Sequence, residues 1–355
     1  MAAFTVASLV PLPLLLMAAC LGGPWDWVAL LYLTVFTAVM DKLVPRAWRN
    51  RNPQAEFPAS KGLSQFLGIA HLWMMAAALY WIGGPTGANG MDAVVAGLAF
   101  ATWFGQVGHP NAHELVHSPE REARKLGRLV YTSLLFGHHA SAHPKVHHRH
   151  VATPLDPATA RPGEGFWRYA PRAWIGSFRA GLAAERADLR RAGRSALANP
   201  YIGYVLGAAA MIALAWALAG GPGIVALLGM CGMAQAQVLL SDYVQHYGLE
   251  RARLEDGRYE PVGPQHSWNS PHAMTGASML NAPRHSDHHM HPMRPFPALQ
   301  LDRDTMPILP YALPIMACIA LVPRLWRRVM DRRLPDWAPD EVAPGYPGLY
   351  GDPAE

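Results

Sequence analysis

The chain has 355 residues, of which 51% are hydrophobic and only 15% charged, with 30 Lys and Arg against 25 Asp and Glu. Soluble chains carry roughly 25% charged residues, so an ordinary soluble globular protein is excluded as the first reading. The formal net charge of +5 sits in segments flanking apolar runs, which argues for contact with anionic headgroups rather than nucleic acid.

Apolar runs of spanning length cover about 5–22, 26–44, 63–83, 88–108, 201–220 and 222–243, each near the ~20 residues that a bilayer crossing needs. They predict an all-α integral membrane protein with six transmembrane helices. Lys and Arg are confined to 42–61, 121–194 and 251–333. Six crossings put these three segments and both termini on one side, and the positive-inside rule makes that side cytoplasmic in a bacterial inner membrane. The first run lacks a basic leader and reads as an anchor rather than a cleaved signal. Cys20, Cys231 and Cys318 lie in apolar stretches without C-x-x-C spacing and read as buried structural thiols.

Between the runs, 183–194 is expected to be an exposed basic helix. The stretch 126–136 is too short to cross and is expected to be re-entrant or interfacial; 306–322, interrupted by Pro310 and Pro314, is expected at the interface, since a seventh crossing would strand the basic tail 324–333 on the outside. After Trp337 the chain is rich in Pro, Gly and acidic residues and is expected to be loose.

The chemistry is concentrated in histidine. His113 and His117 lie four residues apart, on one face of a helix. His143, His147 and His148 form H-x3-H-H, and His285, His288 and His289 form H-x2-H-H; His246 stands past the last crossing. Neutral imidazole suits iron, zinc, copper or nickel rather than magnesium or calcium. One ion takes three or four such ligands, so nine histidines point to two ions, with adjacent imidazoles sent to different ones. The motif HELVH at 113–117 is also the zinc-protease signature with Glu114 as general base, but a protease needs one further ligand and leaves the other clusters unexplained. A metal transporter is disfavoured because its ligands usually lie at mid-membrane depth. His71 reads as a packing histidine in an apolar helix; His109, His138, His139, His150, His266, His272 and His291 are weaker candidates.

The stretches HELVH (113–117), HPKVHHRHVATPLDPATAR (143–161), 242–270 from the HYG segment to GPQHSWNS, and RHSDHHMHP (284–292) resemble the integral-membrane alkane 1-monooxygenases, related to membrane fatty-acid desaturases and xylene monooxygenase. The likeness runs from about residue 20 to 300, and the HYG and HSWNS segments separate it from the desaturases proper. The resemblance implies a non-haem di-iron centre held by His113, His117, His143, His147, His148, His246, His285, His288 and His289. O2-dependent terminal hydroxylation of medium-chain alkanes to primary alcohols follows. The carboxylates expected around the ligands are Glu114, Asp156, Asp242 and Asp287. The implied electron source is a separate rubredoxin with its NADH-dependent reductase, since the chain has no four-cysteine iron site of its own.

The chain then divides into one membrane hydroxylase domain over 1–323, with cytoplasmic catalytic segments 109–200 and 244–305, and a tail over 324–355. Trp73, Trp81, Trp103 and Phe104 are candidate linings of an apolar substrate channel. Three positions depart from the family pattern: Ala142 replaces an acidic residue, and Asp242 and Gln245 stand where Asn and Glu are usual. The same scaffold acting on a fatty acyl chain, a terpene or an aromatic methyl group is the alternative.

Overall fold

The computed structural model describes residues 1–44, 49–84, 87, 88 and 90–337; the tail beyond Trp337 lies outside the described residues. Helices dominate, and among the described residues the only β pairings are two isolated bridges, Arg253 with Tyr259 and Asn269 with Ile308.

Helix covers each of the six apolar runs. Three stretches, Ala2–Leu21, Pro58–Gly83 and Pro200–His246, are long and apolar enough to cross a membrane. The second run is helical over Pro24–Leu31 and Thr37–Leu43, joined by a π-helical turn Tyr32–Phe36. The fourth passes from Gly90–Trp103 through a second π-helical turn, Phe104–Gly108, into His109–His117. The 47-residue Pro200–His246 breaks at Gly220, whose φ of 58° and ψ of −144° are non-helical. That conformation costs a Cβ-bearing residue dearly, and Pro222 next to it cannot supply a helical N–H, so the chain turns there.

The outer faces of these helices carry exposed apolar side chains such as Val35, Trp73 and Val205, as expected of surfaces that face acyl chains rather than water. Pro200–His246 packs against Pro58–Gly83, Gly90–Trp103, Phe166–Arg191 and Leu313–Ala320. His71, fully buried in Pro58–Gly83, approaches Ser133 Oγ at 3.1 Å through Nε2 and packs on Phe104, the role its apolar setting suggests.

Some expectations need correction. Only Cys231 is buried; Cys20 and Cys318 are exposed, Cys318 in the wall of an apolar cavity, because an apolar stretch need not bury every side chain. The basic stretch 183–194 is the end of the 26-residue helix Phe166–Arg191 and buries Glu185 and Leu189. No crossing is expected of 126–136, and its residues 126–133 belong to an amphipathic helix, Arg121–Ser133, that lies on Pro58–Gly83 and His109–His117. In keeping with the expectation that 306–322 does not cross, it contains one eight-residue helix, Leu313–Ala320, about 12 Å long at 1.5 Å per residue.

Candidate metal centre

All nine histidines of the four clusters converge on one place beneath the bundle. Their ligand atoms fall into two adjacent groups, each with its atoms within 4.8 Å of one another: His113, His117, His143, His148 and His288 in the first, His147, His246, His285 and His289 in the second. The groups touch, since the rings of His148 and His289 are 4.5 Å apart.

The local backbone explains this division. His113 and His117 in His109–His117, and His285 and His289 in His285–Met290, are pairs four apart on an α-helix and stay together. His143–His147 is a π-helical turn, with His148 N–H donating to the His143 carbonyl five residues back. This wider turn brings His143 and His148 to one side, their Nε2 atoms 2.9 Å apart, and sends His147 to the other group. The adjacent pairs, 147 with 148 and 288 with 289, are therefore split between the groups.

The donor set fits d-block metal ions. Nε2 of His113, His117 and His147 is buried with no hydrogen-bond partner, a costly state for an imidazole nitrogen unless an ion completes it. Other Nε2 atoms crowd one another, His148 with His288 at 3.1 Å and His246 with His285 at 3.0 Å, as lone pairs aimed at a common cation would. Burial, reinforced by the neighbouring imidazoles, holds His113, His143, His148, His288 and His289 well below the usual imidazole pKa. Burial likewise brings His117 to about 4 and His285 to about 3. Neutral rings are what a metal requires.

Around the ligands, His147 Nδ1–H donates to Asp156 Oδ2 at 2.8 Å. Burial opposes the charge on His147, but the Asp156 carboxylate prevails and raises its pKa. Asp156 is itself held by the Thr159 hydroxyl at 2.7 Å and the Ala158 N–H at 3.0 Å. Such a carboxylate fixes the tautomer that points Nε2 at a metal.

Asp287 sits elsewhere than expected. It bonds no ligand imidazole but accepts from Arg294, from the Gln300 N–H at 2.9 Å and from His291, tying the loop after the ligand helix. Glu114 accepts from the Phe296 N–H at 3.4 Å, and burial pushes its carboxyl up to about 7. Asp242 is buried beside His143 and His147. Gln245 accepts from Ser241 Oγ at 2.8 Å, and Ala142 packs under Gly181.

His109 pairs with the Tyr131 hydroxyl at 3.0 Å and His266 with Glu260 at 3.1 Å; neither joins a group, and nor do His138, His139, His150, His272 or His291. Asn269 is a residue whose role the spacing alone does not reveal. It donates to Ser267 O and Ser286 Oγ, both at 2.8 Å, and accepts from the Ser286 N–H at 3.0 Å. This clamps the HSWNS loop to the helix bearing His285. Lys145 is another: it binds Glu185 and Asp188 at 2.6 Å each and so ties the π-helical turn to Phe166–Arg191.

A mainly apolar cavity of about 300 Å³ opens between the helices, with Leu33, Thr37, Gly105, Met233, Leu313 and Leu321 among its walls. Ser241 and Met279 line both this cavity and the narrow space that touches His113, His143 and His285. None of Trp73, Trp81, Trp103 and Phe104 lines it. Trp103 and Phe104 turn instead toward His71, and Trp73 faces outward.

Comparison with known proteins places the chain in a family. The fatty acid desaturase family matches residues 89–317. The alkane 1-monooxygenase of Ectopseudomonas oleovorans is 34% identical over 273 residues, 76% of this chain and 65% of its own. Alkane 1-monooxygenase 2 of Pseudomonas aeruginosa is 31% identical over 319 residues, 87% of this chain and 84% of its own. The xylene/toluene monooxygenase hydroxylase component XylM of Pseudomonas putida is 28% identical over 337 residues, 91% and 86%. The chain spans 57% to 65% of the length of three of the alkane 1-monooxygenases it matches. With its helical membrane architecture and its two groups of converging imidazoles, the chain belongs to the fatty acid desaturase family, in its alkane 1-monooxygenase branch.

Proposed function

We propose that the protein is a non-haem di-iron monooxygenase of the bacterial inner membrane that hydroxylates the terminal carbon of medium-chain n-alkanes. In this reading it crosses the bilayer six times with the histidines on the cytoplasmic side. The observation that carries the reading is the meeting of nine imidazoles, seven buried and two half-buried, with an apolar cavity through Ser241 and Met279.

The overall reaction takes the alkane, O2, two electrons and two protons to the primary alcohol and water. The two histidine groups would each hold one iron ion, and the pair would supply the oxidising chemistry. The protein's own part is positional. Asp156 orients His147, Asn269 and Ser286 fix the helix that carries His285, His288 and His289, and Lys145 anchors the turn that divides His143 and His148 from His147. An alkane offers no hydrogen-bonding handle, so the cavity walls select it by shape and exclude water from the reacting carbon.

The electrons come from a separate carrier, a rubredoxin reduced by its NADH-dependent reductase, docking on the basic cytoplasmic face. The all-histidine set and its count argue against a zinc protease built on Glu114, which uses three ligands.

The similarity to XylM over nearly the whole chain favours oxidation of an aromatic methyl group as a second reading. Membranes containing the protein, supplied with carrier, reductase and NADH, are to be given octane, hexadecane and p-cymene separately. A primary alcohol from an n-alkane is expected. Oxidation of p-cymene alone overturns the alkane assignment, and no product from an iron-loaded preparation overturns both readings.

A further inference from the structure

An open groove of about 660 Å³, lined by none of the nine clustered histidines, lies where Phe166–Arg191 meets the start of Pro200–His246. Its floor is apolar, built from Leu182, Leu189, Ile202, Val205 and Leu206, and its rim carries three arginines, Arg186, Arg190 and Arg194. Arg186 and Arg190 are one helical turn apart. Arg194 joins them because the helix ends on Gly193 at φ 61°, with Arg194 N–H donating to the Leu189 carbonyl at 2.9 Å, a left-handed cap that folds the next residue back over the last turn.

None of the three arginines is ion-paired among the described residues. The nearby carboxylates are already engaged: Glu185 and Asp188 hold Lys145, and Asp188 also holds Arg191. The groove also receives the N-terminus of the long helix, where Asn199 accepts from the Tyr201 N–H at 3.0 Å, and the positive end of that helix adds to the field.

Below the rim, Val205 and Leu206 are 61% and 64% exposed on a helix apolar enough to cross a membrane. Cationic groups above and an uncovered apolar face below complement one kind of molecule, in which a phosphodiester is joined to acyl chains.

We propose that this groove is a binding site for an anionic phospholipid. Its phosphate is held by Arg186, Arg190 and Arg194 in charge-assisted hydrogen bonds, and an acyl chain lies along Ile202, Val205 and Leu206. The site is separate from the metal centre, so it stands whatever the substrate is. It differs from the general attraction of basic loops to anionic membranes by being built from one triad and one apolar floor.

The test uses the full, iron-loaded protein in neutral detergent, with thermal unfolding followed as lipid is added. Dioleoylphosphatidylglycerol is expected to raise the midpoint, since a ligand of the native state stabilises it by mass action. Dioleoylphosphatidylcholine and inorganic phosphate are expected to leave it unchanged. The variant R186Q/R190Q/R194Q should lose about two thirds or more of the increment, and R324Q/R328Q, which removes two other exposed charges, should keep it. Far-UV circular dichroism checks the fold of the triple variant. If it fails to fold, R190Q alone carries the prediction, with about a third of the increment lost. An equal shift with inorganic phosphate makes this a simple anion site, and an equal shift with phosphatidylcholine reduces it to solvation of an apolar face. A full shift retained in the variant places the lipid elsewhere. Each of these overturns the proposal.

Discussion

At the residue scale the centre rests on imidazoles whose lone pairs already converge, so removing one ligand should act on metal and activity together. His148→Ala breaks the five-membered group, and its ring lies between the groups. Iron per chain is expected to fall by about half or more, and turnover by ~100-fold or more. Elemental analysis beside product assay checks both, and a fully active, iron-replete His148→Ala protein contradicts the ligand assignment. Asp156→Asn tests orientation rather than ligation. The amide can no longer act as the anionic acceptor for His147 Nδ1–H, while the ligand count is untouched. Metal affinity should fall by about 10- to 100-fold, read as faster iron loss to a chelator, with the folded content unchanged. The identity of the nine histidines is legible in the sequence because each spacing is a local property. The role of Asp287 is not: its sequence position among ligands suggests contact with a ligand imidazole, but which way a carboxylate turns depends on Arg294 and Gln300, which hold it in the folded chain.

At the element scale, apolar length and missing charge mark where helices run, and helices lie there. What they do not mark is the π-helical turn at His143–His147. Both an α-helix and a π-turn accommodate H-x3-H-H, and only the second sends His143 and His148 to one group and His147 to the other. Such turns often occur at functional sites. The turn needs an external tie, and Lys145 provides it through Glu185 and Asp188. Glu185 is buried while Lys145 is about a third exposed, so the pair is screened on one side. Lys145→Met is expected to cost about 2 kcal/mol, below the 3–5 kcal/mol seen when a fully buried pair is broken. The loss should appear as a lower unfolding midpoint and faster loss of iron. An unchanged midpoint and iron content would show that the turn stands without this tie. The channel was illegible for a related reason. Large aromatics on apolar helices do not reveal which way they face, and Trp103 and Phe104 pack inward on His71 while smaller residues form the cavity.

At the scale of the whole molecule, Lys and Arg are absent from long stretches and concentrated in three segments, the pattern that the proposed six-crossing topology would produce by keeping these segments on one face of the membrane. The described structure gathers the nine histidines from two of those segments and from just past the ends of two apolar runs, so in the proposed topology electrons for the metal centre would arrive from the side that carries the basic segments. An acidic carrier protein would be drawn to that surface over a distance set by the Debye length, about 10 Å at 0.1 M salt and 3 Å at 1 M. Steering raises association rates and is lost steeply as salt rises. Turnover driven by a limiting concentration of the reduced acidic carrier should therefore fall by about tenfold or more between 0.05 and 0.5 M salt. Turnover driven by a small neutral reductant should change little over the same range. Salt-insensitive kinetics with the protein carrier would leave the clustered charge to topology alone, because membrane orientation needs no partner.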